Sequence, residues 1–138
     1  MIYISVDGSC NSKNGEGSWS YVIEKRSFSG REWDTTNNRM ELVAAIKALN
    51  HFSDPQDIII FSDSAYVVNG MNYFSKKWRE NGWKTHKNED VKNRDVWEEL
   101  LLAREKHNSV YFKWVPREQN GRADAAARKA RKNFGRKK

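Results

Sequence analysis

The run Asp57-Ile58-Ile59-Ile60-Phe61 limits the possible folds more than any other stretch of this chain. An unbroken apolar run cannot alternate between core and water, so it reads as a strand buried on both faces. Such a strand lies inside a sheet, parallel to a neighbour reached through a helical crossover. The crossover helix stands just upstream, at residues 35–49. Thr36 or Asn37 can cap its entrance by accepting bonds from the first N–H groups. Met40, Leu42, Val43, Ala44, Ala45, Ile46, Ala48 and Leu49 follow, dense enough for a largely buried helix. One carboxylate, Glu41, falls in the expected first turn. After it, the face through Ala45 and Ala48 carries only small side chains and can approach a sheet closely. Glu41 would then lie where helix meets sheet, a costly place for a charge without a partner.

The other segments complete an α/β pattern. Residues 1–7 alternate, with Ile2, Ile4 and Val6 on one face, and Asp7 closes the strand before a polar turn that begins at Gly8-Ser9. Residues 18–24 and 28–33 read as two more strands of an antiparallel meander. Past Ser62-Asp63-Ser64 a helix carries Ala65, Tyr66, Val67, Val68 and Met71, which Gly70 and Asn72 break or bend. A second short helix covers 73–80, and Asn81-Gly82 stops it. Asn93 is placed to cap a helix reaching about His107, residues 109–115 alternate as the last strand, and 121–134 form a final helix. The expected architecture is a five-stranded mixed sheet, three antiparallel then two parallel strands, flanked by helices in one domain over 1–138.

Composition narrows the partners. Residues 117–138 hold nine Lys and Arg against Glu118 and Asp124, which accounts for the whole net charge of +7. A milder basic bias runs through Lys76, Lys77, Arg79, Lys84, Lys87, Lys92 and Arg94. Such patches suit a polyanion, although a charge run is more often a solvated helix face. The single cysteine, Cys10, excludes an internal disulfide and a Cys-rich zinc site. No apolar run has membrane-spanning length and no signal-peptide core is present, so a cytoplasmic chain without membrane contact is expected.

Four acids carry the chemistry. Asp7 ends the first strand and Asp63 follows the central one; as parallel neighbours these strands deliver both carboxylates to one sheet edge. The meander reverses direction twice, so the helix with Glu41 starts on that side too. Asp124 opens the last helix, after a strand expected to exit at the same edge. Singly, each acid has a plainer reading as a turn former, a dipole partner or a surface charge. Together they would repel and raise one another's pKa values. Divalent metal resolves this, and an oxygen-only set favours Mg²⁺ or Mn²⁺. Two ions roughly 4 Å apart would stabilise both oxygens of an in-line phosphoryl displacement.

The segments DGSC (from Asp7), TTNNRMEL (from Thr35), SDSAYV (from Ser62), NGWKT (from Asn81), VKN (from Val91) and the pattern between Trp114 and Ala127 together resemble a type 1 ribonuclease H over essentially the whole chain. The resemblance implies a ribonuclease H-like fold and cleavage of the RNA strand of RNA–DNA hybrids, with two Mg²⁺ per active site held by Asp7, Glu41, Asp63 and Asp124. Mn²⁺ is the implied substitute, and the implied products are 5′-phosphate and 3′-hydroxyl ends. It places Cys10, Asn37 and Asn38 at the RNA strand, where short polar groups can meet 2′-hydroxyls. It places Thr36 and Asn93 at a phosphate of the DNA strand. Tyr66, Phe74, Lys76, Lys77, Trp78, Trp83, Lys84 and Lys87 fall in its DNA channel and basic protrusion, with core packing as the plainer role of both Trp residues. A monomer with no obligate protein partner is expected.

The chain departs from many relatives at VPREQNGRAD, residues 115–124, where the loop before the last acid is short and lacks His. Arg117, Glu118 and Gln119 are the candidates for the missing role. Two other readings compete: a non-catalytic hybrid- or duplex-RNA-binding module of the same fold, and a different nuclease of that fold such as a junction resolvase or exonuclease. Clustered acids are of no use to a pure phosphate binder, and the Asn37-Asn38 pair with the basic protrusion counts against the second.

Overall fold

The computed structural model describes residues 1–120; Asp124 and the helix expected over 121–134 lie outside the described residues. The strands β1 (Ile2–Cys10), β2 (Gly17–Ile23), β3 (Arg26–Glu32), β4 (Asp57–Ser62) and β5 (Ser109–Trp114) form one sheet in the order β3-β2-β1-β4-β5. β1 pairs antiparallel with β2, and β2 with β3. β4 runs parallel to both β1 and β5. This is the mixed sheet expected from the sequence. β4 is central, yet its burial is unequal: Ile58 and Ile60 are fully buried while Ile59 and Phe61 are half-buried. The apolar run therefore marked an interior strand whose second face the described residues cover only in part.

Helix α1 (Asn37–Leu49) crosses the sheet and buries Leu42, Ala45, Ile46 and Leu49 against Ile4, Val6, Ile58 and Ile60. Helix α4 (Arg94–Glu105) adds Val96, Trp97, Leu100 and Leu101 to the same core. The approach of α1 to β1 is close enough to exclude a side chain. A Cβ at Gly8 would lie 2.3 Å from the Met40 carbonyl carbon and 2.4 Å from the Glu41 nitrogen.

Four local expectations change. First, α1 begins at Asn37, with the Arg39 N–H donating to Thr36 Oγ1 at 3.2 Å, so Thr36 is the cap and Glu41 belongs to the second turn. Second, β1 does not end at Asp7. It leaves β4 after Val6 pairs with Ser62, yet Asp7 to Cys10 stay paired to β2, opposite Ser20 to Gly17. Asp7 thus stands where β1 and β4 part.

Third, Gly70 does not break its helix. Helix α2 (Ala65–Asn69) passes through a π-helical turn, Gly70–Phe74, into α3 (Ser75–Glu80). Gly70 has helical angles, and a Cβ there would meet Trp97 Cη2 at 2.0 Å. The glycine serves close packing, and Asn72 turns outward to donate from Nδ2 to the Phe112 carbonyl at 3.1 Å. Fourth, Asn93 does not cap α4 with its side chain. It adopts the left-handed conformation (φ 61°) and turns its amide elsewhere.

Candidate active site

Three acids on three elements converge. Asp7 on β1, Glu41 on α1 and Asp63 after β4 each offer an oxygen, and these lie within 4.8 Å of one another. The backbone fixes each position. Asp7 is 1% exposed at the fork between β1 and β4. The turn carrying Asp63 is held by the Ser64 N–H donating to Ser62 Oγ at 3.0 Å and by Trp114 Nε1 donating to the Asp63 carbonyl at 3.1 Å. Ser64 then caps α2, accepting from the Val67 N–H at 3.2 Å. Gly8, which lets α1 sit this close, also donates its N–H to Glu41 Oε1 at 2.6 Å.

Electrostatically the cluster is overloaded. Burial, then the negative charges of Asp7 and Asp63, push the Glu41 carboxyl from an ordinary 4.5 up to about 9; the Gly8 N–H pulls only weakly the other way. Among the described residues, Arg117 forms an ion pair with the cluster, its Nε 3.6 Å from Asp63 Oδ2 and its own side chain largely in solvent. Three carboxylates held this close, with oxygen as the sole donor type, match the demands of a hard divalent cation. Asp124, the fourth expected ligand, lies outside the described residues.

The loop candidates separate in space. Arg117 stands at the acids, within a single 3₁₀ turn spanning Arg117–Gln119. Glu118 and Gln119 instead line a cavity of about 560 Å³ with Tyr3, Ser5 and Phe61. Asn120, 1% exposed, anchors the loop by donating from Nδ2 to the Val6 carbonyl at 2.7 Å.

The candidate substrate residues fall into three groups. Asn37 and Asn38 are exposed in the first turn of α1, one turn before Glu41. Cys10 Sγ donates to the Thr35 carbonyl at 3.2 Å on the strand beside them. Thr36 and Asn93 form the second group, joined by Arg39. Arg39 donates its N–H to Thr36, Nη1 to Asn93 Oδ1 at 3.3 Å, and both Nη1 and Nη2 to Asp95 at 3.0 and 2.9 Å. Asn93 Nδ2 in turn donates to the Tyr66 hydroxyl at 3.0 Å, which also accepts from Trp97 Nε1 at 3.1 Å. Tyr66 is thus tied to Asn93 and Trp97 through its hydroxyl.

The third group is a cavity of about 530 Å³ lined by Phe74, Lys77, Trp78, Lys84 and Lys87, with Thr85 and His86 among its walls. Trp83 is 4% exposed and sits behind this wall, 6.5 Å from Trp78, with Arg94 over its ring. Lys76 does not line this cavity; it faces a separate groove along β5. Sequence reasoning missed Arg39 and Gly8. Arg39 stands inside TTNNRMEL, but its carboxylate partner is 56 residues away and leaves no local signal. Gly8 was read as a turn residue because Asp7 was taken as the strand's end.

The comparisons with known proteins bear on this geometry directly. A family model described as RNase H matches residues 1–132. Ribonuclease H of Agrobacterium fabrum is 42% identical over 144 residues, covering 99% of this chain and 98% of that protein. Ribonuclease H of Francisella philomiragia is 43% identical over 132 residues, covering 90% and 86%. Among solved structures, LC9-RNase H1, described as a type 1 RNase H with the type 2 active-site motif, superposes with a TM-score of 0.82 at 27% identity over 96% of this chain and 72% of that one. LC11-RNase H1 in complex with RNA/DNA hybrid shares the fold at a TM-score of 0.79 and 22% identity, over 97% and 99%. Likeness at this identity along nearly the full length, in the same sheet topology, makes this chain an enzyme of the ribonuclease H family.

Proposed function

We propose that the chain is an endonuclease hydrolysing the RNA strand of RNA–DNA hybrids at a two-metal site held by Asp7, Glu41, Asp63 and Asp124. Water adds to phosphorus as the bond to the 3′ oxygen breaks, leaving 5′-phosphate and 3′-hydroxyl ends. The observation that carries the reading is the meeting of three acids within 4.8 Å; burial and the charges of Asp7 and Asp63 push the Glu41 carboxyl well up. When bound, the ions, Mg²⁺ or Mn²⁺, supply positive charge to the attacking and leaving oxygens. Asp7, buried at the strand fork, anchors the set, and Gly8 N–H aims Glu41 Oε1. Positive charge held by these oxygens would draw the Glu41 carboxyl back toward its ordinary range. The Arg117 guanidinium, beside Asp63 yet mostly in solvent, is placed to meet a substrate phosphate.

The hybrid as substrate is supported by the relatives' name and by the solved complex of LC11-RNase H1 with RNA/DNA hybrid. On this reading Asn37, Asn38 and Cys10 meet the RNA strand, where amide groups can exchange hydrogen bonds with 2′-hydroxyls. Thr36 and Asn93, coupled by Arg39, take a phosphate of the DNA strand. Phe74, Trp78, Lys77, Lys84 and Lys87 offer rings and charge to the DNA backbone farther along. The test is cleavage of a labelled hybrid against matched duplex DNA, duplex RNA and single strands, with Mg²⁺ and with Mn²⁺, and with the new ends identified. Cleavage confined to the RNA of the hybrid is expected; cleavage of a single strand or a DNA duplex at an equal rate refutes the reading.

A further inference from the structure

Lys76 belongs to a groove that, Lys77 apart, none of the proposed chemistry uses. One part, about 450 Å³, is lined by Asn72, Tyr73, Lys76, Lys77, Arg104 and Tyr111 among others. A second part, about 410 Å³, shares Lys76, Arg104 and Tyr111 and continues to Arg79, Glu105 and His107. The groove follows the outer edge of β5, where Asn72 already occupies the Phe112 carbonyl. Tyr111 pairs with Ile59 in β4, four residues before Asp63. At about 3.3 Å per residue the groove centre is thus roughly 13 Å back along the sheet from the acids.

The charges here are one-sided. Arg79 Nη1 holds Glu105 Oε2 at 2.6 Å, which neutralises the groove's one acid among its lining residues. His107 is occupied, accepting the Gln56 N–H at Nδ1 and bonding the Leu49 carbonyl through Nε2 at 2.8 Å. Lys76, Lys77 and Arg104 have no ion-pair partner among the described residues. Tyr73 and Tyr111 are 65% and 60% exposed. Free cations with solvent-facing rings are the combination that binds single-stranded nucleic acid: phosphates on the cations, unpaired bases on the rings.

We propose that this groove binds a single-stranded extension of the nucleic acid, with phosphates on Lys76 and Arg104 and bases on Tyr73 and Tyr111. The inference rests on the hybrid reading above only for the identity of the attached duplex. Two measurements test it, using wild type, Arg104→Gln and Tyr111→Ala. The first is fluorescence anisotropy of a labelled oligothymidine at low salt in EDTA. The second is KM for a blunt hybrid and for hybrids carrying a six-thymidine tail at either end. Wild type should bind the oligothymidine, and each variant should bind it about fivefold more weakly or worse, the loss of one stacked base or phosphate contact. One tail should lower the wild-type KM by a similar factor; both variants should lose that gain and keep blunt-hybrid kinetics. Equal oligothymidine binding by all three proteins overturns the proposal. So does a tail gain that survives both variants, or displacement of the oligothymidine by polyglutamate from wild type and variants alike. Failure to cleave blunt hybrid refutes the function reading instead, and the anisotropy result still decides the groove.

Discussion

Replacing Glu41 by Gln should stabilise the metal-free protein while abolishing its activity. Unfolded, Glu41 loses its proton near the ordinary 4.5; folded and metal-free, it keeps the proton to about 9. Between these values the native state binds more protons than the unfolded one, so stability falls as pH rises. At pH 7 about 2.5 pH units of this range have been crossed, and at ~1.36 kcal/mol per unit the loss is about 3 kcal/mol. A glutamine removes the titration yet fits the same place. Its amide oxygen can accept the Gly8 N–H that Glu41 Oε1 accepts at 2.6 Å, and its NH₂ can donate toward Asp7. For a chain of this length about 3 kcal/mol corresponds to a rise of ~10 °C in Tm. Urea and thermal unfolding in EDTA at pH 5 and pH 8 read the effect: a gain under ~1 kcal/mol at pH 5, growing steeply by pH 8. Saturating Mg²⁺ should close the gap by binding native wild type. A Gln variant no more stable than wild type at pH 8 in EDTA, or a wild type with flat stability from pH 5 to 8, would refute the reasoning.

Other perturbations test the neighbouring parts. Gly8→Ala forces a Cβ to within 2.3 Å of the Met40 backbone, so β1 and α1 must separate; a loss of about 3 kcal/mol in urea unfolding is expected, with hybrid cleavage impaired even where the protein stays folded. Tyr66→Phe strips the acceptor from the fully buried Trp97 indole and from Asn93. It should cost about 1–3 kcal/mol and raise KM with little change in kcat; unchanged stability would show that water or a shifted partner replaces the phenol. Lys87→Gln, in the aromatic-lined cavity, should lower the slope of log affinity against log salt by about 1 for hybrid binding. Asn37→Ala with Asn38→Ala should leave folding intact and erase the preference for hybrid over duplex DNA; a preserved preference assigns the RNA contacts elsewhere.

The sheet order was legible because each strand carried its own burial pattern, and the unbroken Ile58 to Phe61 run forced β4 inside. Asp7, Glu41 and Asp63 were legible as a group because strand ends and a crossover helix have fixed sides. Three features were hidden for a common reason: they depend on partners remote in sequence. Gly70 looked like a residue that breaks or bends its helix, and only Trp97 above it shows why the position must be bare. Asn93 looked like a cap, but Arg39 and Tyr66 draw its amide away into the left-handed conformation. β1 outlasted Asp7 because pairing with β2 continues after β4 has ended. Lys76 and Lys77 are adjacent in α3, yet Lys77 lines both the aromatic cavity and the β5 groove while Lys76 lines the groove and not the aromatic cavity, a distinction that charge counting cannot make.

The central claim is that the converging carboxylates are the catalytic metal ligands, and one assay addresses it most directly. Wild type, Asp7→Asn and Asp63→Asn are compared on a labelled RNA–DNA hybrid with Mg²⁺, each variant first shown to be folded. Wild type should cut the RNA strand and leave 5′-phosphates, and both variants should fall to background. Cleavage by both variants at the wild-type rate would contradict the assignment.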